Sequence, residues 1–217
     1  MAFTRTATPT AKSARVSAPS SKGVGSFTVP GLEQTSGTAT AATLQKRLVA
    51  LIDLALTLKH IHWNVVGPTF IGVHTMLDPQ VAGVAVMVDR TAERIATLGT
   101  SPNGLPGNLV RARTWDDYSL GRALVLEHLG ALDLVYVGII GAHRDAIASV
   151  SEFDPISEDM LIQQTGELEQ YHWFVRAHLE SAAGTLSTAG ARTETTAATR
   201  AESGARPPAR VSKRERA

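Results

Sequence analysis

The sequence predicts an all-α protein: a four-helix bundle with one long crossover between its second and third helices. Three observations carry this reading. Four long segments repeat apolar residues at three- and four-residue intervals, no segment shows a convincing two-residue alternation, and one punctuated stretch interrupts the order in the middle. The 217 residues suffice for one domain with a sizeable core and two tails.

The first helix is expected from about Ala39 to Val66. Leu44, Leu48, Leu51, Ile52, Ala55, Leu58 and His62 fall on one face of it, and Gly67-Pro68 ends it because proline disfavours helical geometry in its predecessor. The second runs from about Phe70 to Leu98, with Gly99 as its stop and Pro79 inside it as an expected kink or missing hydrogen bond. Residues Gly99 to Ser119 are too many for a tight turn between antiparallel neighbours, so they are read as a crossover along the bundle with a short helical piece. A third helix follows from about Leu120 to Val150. The fourth, about Ser157 to Ala183, starts with Ser157 as expected N-cap and Glu158 and Asp159 in its first turn, where the helix dipole favours negative charge. Four helices in this order describe a ferritin-like bundle.

Both ends read differently from the middle. Residues 1–26 carry Arg5, Lys12, Arg15 and Lys22, no acid, and otherwise little but Ala, Ser, Thr, Gly and Pro. Residues 190–217 set Arg192, Arg200, Arg206, Arg210, Lys213, Arg214 and Arg216 against three glutamates. Neither has apolar surface enough to offset its ordering entropy, so the expected organisation is a disordered basic tail over 1–26, the bundle over 27–189 and a second disordered basic tail over 190–217. The formal net charge of +1 then divides into +4 on each tail and −7 on the body. The basic arms suit sequence-independent contact with double-stranded DNA through counterion release from the phosphates, against repulsion of DNA by the acidic body. No run looks long and apolar enough to span a bilayer, and no targeting peptide is evident, so a soluble protein is expected. With no cysteine there is no thiolate ligand, disulfide or cysteine nucleophile.

The chemistry concentrates on the second helix. At about 100° per residue, His74, Asp78, Asp89 and Glu93 lie on one stripe about 100° wide. Yet Asp78 and Asp89 are separated by about 16 Å of helical rise, too far for one metal centre. His-x3-Asp-x10-Asp-x3-Glu is symmetric about a point between Gly83 and Val84. Two antiparallel copies related by a two-fold axis there set Asp78 level with the other copy's Asp89, and His74 level with its Glu93. Ala82, Gly83 and Ala85 are small enough to allow that approach, and His62 adds an imidazole if the first two helices pack antiparallel. The assembled donors are two imidazoles and three carboxylates, a nitrogen and oxygen set that suits iron or manganese, leaves zinc and copper open on affinity grounds, and keeps positions for water, peroxide or dioxygen.

At HWNVVGPTFIGVHTMLD and DRTAERIATLG the sequence resembles the Dps family, DNA-binding proteins from starved cells within the ferritin-like superfamily. The resemblance runs from about Leu44 to Ser181, taking in GELEQYHWFVRAHLES and excluding both tails; Thr91 departs from the family's usual aliphatic residue. It implies a hollow shell of twelve subunits that binds Fe(II), oxidises it preferentially with hydrogen peroxide, stores ferric mineral, and serves in the cytoplasm and on the nucleoid under oxidative stress. The implied ferroxidase centre comprises His62, His74 and Asp78 of one subunit with Asp89 and Glu93 of its two-fold mate. Trp63 and Trp173 look like the family's oxidant-intercepting aromatics, although Trp63 alone reads as a core residue. Asp154, Glu158 and Asp159 are placed where similar proteins have an acidic iron-entry pore.

Two rival readings differ in kind. A non-catalytic, DNA-compacting shell would have no use for the five-donor set. A di-metal centre inside each bundle uses a Glu-x-x-His from each of two helices, and Glu169 to His172 is one match without a second.

Overall fold

The computed structural model describes residues 25–204. Its elements are α1 (Gln34–Asn64), β1 (Val65–Val66), α2 (Phe70–Thr97), α3 (Pro106–Ala112), β2 (Ala123–Leu124), α4 (Val125–Val150), α5 (Pro155–Ala177) and α6 (Glu194–Gly204). Helices α1, α2, α4 and α5 form the expected bundle, and α3 is the helical piece of the crossover. Leu44, Leu48, Leu51, Leu54, Leu58 and Ile61 of α1 are at most 1% exposed, a face completed by Leu77, Val84 and Ile95 of α2 and by Leu129, Leu132 and Tyr136 of α4. Burying side chains of this size contributes roughly 1.5–3 kcal/mol each before entropy is counted.

Glycines make the two sharpest corners near the site. Gly67 (φ 113°) reverses the chain between β1 and α2, and Gly99 (φ 82°) ends α2, both in the left-handed region that glycine alone enters without strain. Gly99 is also covered closely: a Cβ there would lie 2.1 Å from the Phe27 carbonyl, and Gly25 N–H donates to the Gly99 carbonyl at 2.6 Å. Residues 25–33 therefore dock on the end of α2. Contrary to the all-helical expectation, Val65 and Val66 pair in parallel with Ala123 and Leu124. This ladder, with His60 Nε2 donating to the Leu120 carbonyl at 2.7 Å, ties the end of the crossover to the α1–α2 corner. Val125 becomes the true start of the third bundle helix, where the Glu127 carboxylate accepts the Leu124 N–H at 2.8 Å.

The fourth bundle helix begins earlier than expected. Asp154, not Ser157, is its N-cap, Pro155 occupies the first turn where its missing N–H costs nothing, and Asp154 accepts the Ser157 N–H. Arg94 of α2 grips both oxygens of Asp154 at 2.8 and 2.7 Å, and these bonds outweigh the upward push of burial to hold the carboxyl below its ordinary pKa.

The C-terminal boundary also moves. After α5 the chain turns through residues 178–189 and returns across α4 as α6, so residues 190–204 belong to the folded body. Two features fasten them. Thr188 Oγ1 donates to Asp133 Oδ2 at 2.7 Å while His172 Nε2 bonds Asp133 Oδ1 at 2.7 Å; burial would raise the Asp133 pKa, but these partners bring it below the ordinary value. Ala197, Ala198 and Ala201 are buried against α4, where a Cβ on Gly130 would meet the Ala197 carbonyl at 2.6 Å. A composition rich in Ala and Thr reads as unstructured, but here small side chains are what allow close contact over a glycine.

The expectation about apolar runs needs correction too. Both α2 and α4 are long and apolar enough by composition to cross a membrane. The most apolar window of α4 is 50% buried within the bundle, that of α2 only 28%. The exposed side of α2 presents Asp78, Asp89 and Glu93, which are costly in lipid, so its apolar character fits a protein partner better.

Replacing Gly130 by Val is expected to lift α6 off α4 at a cost of about 1–3 kcal/mol, the usual penalty of overpacking. Hydrogen exchange should then accelerate in residues 194–204 while α1 and α2 stay protected; unchanged protection of α6 would contradict the close contact.

Candidate metal centre at an exposed helix face

The α1–α2 corner brings His62 and His74 together. Their rings stack with centroids 3.6 Å apart and planes 24° from parallel. His62 Nδ1 lies 3.0 Å from the His74 carbonyl, and His74 Nδ1 lies 2.9 Å from the His62 carbonyl. A carbonyl only accepts, so both Nδ1 atoms carry a proton, and in the neutral ring Nε2 is the atom left to donate to a metal. Reciprocal bonding thus fixes ring orientation and tautomer before any metal arrives, as metal-binding histidines require.

Asp78, one turn beyond His74, approaches His62 Nδ1 at 3.4 Å and bonds Lys59 Nζ at 3.1 Å. The Lys59 hydrogen bond is the main reason its carboxyl lies below the ordinary pKa, with the charges of His62, Lys59 and His74 adding to it against some desolvation. Sequence reasoning missed Lys59. Its position one turn before His62 on the same helix was the available signal. His62, His74 and Asp78 are neighbours but do not form a metal site alone: among the described residues no three His, Asp or Glu side chains of one chain converge on a common point.

Asp89 and Glu93 are exposed on the same stripe of α2, and neither carboxylate has a hydrogen-bond or ion-pair partner among the described residues. Between Asp78 and Asp89 that stripe presents exposed Ala82 and Ala85, flanked by exposed Ile71 and Val86. Gly83 is not part of it. A Cβ at Gly83 would lie 2.2 Å from the Tyr171 hydroxyl, so its smallness serves the packing of α5 on α2 rather than contact with a second copy.

Residues 41–184 match the ferritin-like domain family. The DNA protection during starvation protein of Mycolicibacterium smegmatis is 56% identical over 176 residues, 81% of this chain and 96% of that protein. This chain belongs to the Dps branch of the ferritin-like family. The Dps chain also resembles the fine tangled pili major subunit of Haemophilus ducreyi, 53% identical over 159 residues, 73% of this chain and 84% of that one. Among solved structures, Dps of Mycobacterium smegmatis superposes with a TM-score of 0.75 at 56% identity, covering 76% of this chain and 94% of that chain. DpsA14 from Streptomyces coelicolor gives 0.74 at 55% identity, covering 76% and 98%.

The other expected site residues divide. Asp154 is 3% exposed and committed to Arg94 and Ser157, so it is removed from the pore assignment. Asp159 is exposed and accepts from Gln163 Nε2 at 2.6 Å, and Glu158 is half-buried in the first turn of α5. Trp63 is 72% exposed, which corrects the core reading, and Trp173 is 59% exposed with its ring against Phe174. Glu169 and His172 do not form half of an internal di-metal centre: Glu169 pairs with Arg144 at the surface, and buried His172 belongs to Asp133. Arg200 lies on α6 and donates to the Ala189 carbonyl. Arg5, Lys12, Arg15, Lys22, Arg206, Arg210, Lys213, Arg214 and Arg216 lie outside the described residues.

The Lys59 ammonium competes with a cation for Asp78. Lys59→Met is expected to tighten binding of redox-silent Zn(II) a few-fold in calorimetry on the assembled protein, whereas unchanged or weaker binding would show that Lys59 stays bonded beside the metal.

Proposed function

We propose that two copies of this chain pack their α2 helices antiparallel about a two-fold axis and so complete two ferroxidase centres. Each takes His62, His74 and Asp78 from one copy and Asp89 and Glu93 from the other. The observation that carries this reading is the split stripe on α2: pre-oriented imidazoles at one end, unpartnered carboxylates at the other, and exposed small and apolar residues between. Membership of the Dps branch supports it, as does the deficit of burial on α2.

Iron is the substrate. Two Fe(II) ions yield one electron each to hydrogen peroxide, whose O–O bond breaks to give two hydroxides, and two Fe(III) ions leave for the mineral. The protein supplies the two Nε2 lone pairs and three anionic carboxylates, which favour the more highly charged product ion. Holding two ions within reach of one peroxide makes the reduction a paired event that releases little hydroxyl radical. Trp63 and Trp173, both exposed, intercept what escapes. The assembly is a shell of twelve subunits that holds ferric mineral, with Glu158 and Asp159 lining the iron entry. The basic termini bind double-stranded DNA without sequence preference, on the nucleoid in the cytoplasm.

Ferric absorbance after Fe(II) and hydrogen peroxide tests the centre. Asp89→Ala with Glu93→Ala should slow the initial rate by well over about tenfold, since even outer-shell changes at metal sites cost about that much. Shells mixed from His74→Ala chains and Asp89→Ala chains should recover about a quarter of the wild-type sites, because each mixed two-fold pair rebuilds one intact centre and loses the other. No recovery on mixing would mean that the donors are not shared between chains. Full activity in the double variant would favour the non-catalytic shell.

For DNA, truncation after Gly204 spares α6 and removes Arg206, Arg210, Lys213, Arg214 and Arg216. Retardation of duplex DNA should weaken strongly, and the remaining binding should depend less steeply on salt because fewer phosphates are neutralised. Equal retardation at low salt would reassign DNA binding to the N-terminal residues or the body.

A further inference from the structure

A cavity of about 650 Å³ lies between α1, α4, the crossover and the start of α6. It opens on a different face of α1 from the metal centre, roughly 130° around the helix from His62 and Lys59 at 100° per residue. Its volume is in the range that holds small organic ligands. Leu54, Val135 and Ile139 give it an apolar floor, and Trp115 stands at its rim, 40% exposed. Arg47 and Thr57 line it ten positions apart on α1, so its polar ends are separated by about 15 Å of helix.

Both of these polar residues are only 9% exposed. The Arg47 guanidinium makes no hydrogen bond or ion pair among the described residues, and its Nη1 is fully buried without a partner. Asp145 acts on it only through its field, and burial pulls the guanidinium pKa downward. Thr57 Oγ1 likewise has no partner among the described residues. Three of the four acids lining the cavity are in the opposite condition; the fourth, Asp116, is exposed and makes no hydrogen bond or ion pair among the described residues. Asp53 accepts from Trp115 Nε1 at 2.7 Å and from Arg113 at 3.4 Å, Asp117 pairs with Arg113, and Glu194 accepts the Ser119 N–H at 2.7 Å. A buried charge without hydrogen bonds is expensive, so the Arg47 end of the cavity favours an anionic group.

We propose that this cavity binds a small, elongated amphiphilic carboxylate, its acid group forked on the Arg47 guanidinium and its apolar body lying along Leu54, Val135 and Ile139 towards Thr57. A planar guanidinium matches a carboxylate with two parallel hydrogen bonds. A phosphate dianion fits less well, because the carboxylates of Asp53, Asp116 and Glu194 share the lining and repel a second negative charge. The chain's own termini do not suit it either: residues 1–24 contain no acid, and residues 205–217 set five basic residues against one glutamate. Nothing in this assignment depends on the metal centre, and iron oxidation serves as its control.

Gly138 provides a clean obstruction. It lines the cavity, and a Cβ built there meets nothing within 4 Å. Calorimetry and thermal unfolding on the full-length assembled protein with sodium octanoate, octan-1-ol and inorganic phosphate test the assignment. Octanoate should bind saturably and raise Tm, with octanol and phosphate about tenfold weaker or worse for lack of the charge-assisted fork or the apolar body. Gly138→Leu should abolish octanoate binding and leave iron oxidation unchanged. Arg47→Met should weaken octanoate binding by about tenfold or more and raise the Tm of the ligand-free protein, because it removes an uncompensated buried charge. The proposal is overturned by wild-type protein that ignores octanoate, by undiminished binding in Gly138→Leu, or by phosphate binding as well as octanoate. It is equally overturned if Arg47→Met lowers Tm and breaks the oligomer, which would assign Arg47 to an acid on a neighbouring protomer.

Discussion

The rise of an α-helix, about 1.5 Å per residue, is the constraint from which the rest of this structure follows. It places the carboxylates of Asp78 and Asp89 about three turns apart on α2, where no side chain can bridge them. The same helix buries Val73, Leu77, Val84, Met87, Thr91 and Ile95 on its other side. One row of α2 therefore builds the bundle while the other faces outward. The bundle holds α2 rigid enough for its outer row to keep an accurate spacing, which a loop could not do.

The polar interior is organised as ties between helices. Arg94 with Asp154 joins α2 to α5, Tyr136 donating to Gln80 at 2.7 Å joins α4 to α2, and Gln164 donating to Thr91 at 3.1 Å joins α5 to α2. Thr91 also donates to the Met87 carbonyl at 2.7 Å, so its hydroxyl is used in both directions. Each tie involves groups that would be costly to bury alone. They fix helix register more than they add stability, and they fill the space in which an internal metal centre would need free donors.

What the sequence discloses and what it hides follow the same logic. The four bundle helices, the crossover, the Gly67 and Gly99 corners and the stripe of donors on α2 are periodic or punctuated features, and the fold bears out those helices, the crossover and the corners. Position along a helix cannot say which neighbour a residue faces. Gly83 belongs to Tyr171, Asp154 to Arg94, and His172 to Asp133, partners 39 to 88 residues away or on another element. Lys59 was overlooked because a lysine on a helix is ordinarily a solvated charge, and only the fold shows it beside Asp78. Helix α6 stayed hidden because Ala197 and Ala201 have almost no hydrophobic signature until Gly130 is seen beneath them.

The docking of α6 has a mechanical meaning for the last thirteen residues. Ala197, Ala198 and Ala201 hold α6 on the bundle and Gly204 ends it beside Ser187, so a pull applied beyond Gly204 is transmitted to α4. Thirteen residues of chain span at most about 45 Å, which bounds the distance of Arg206 to Arg216 from Gly204. The five basic residues beyond α6 are thus tethered to a fixed point on the bundle's surface.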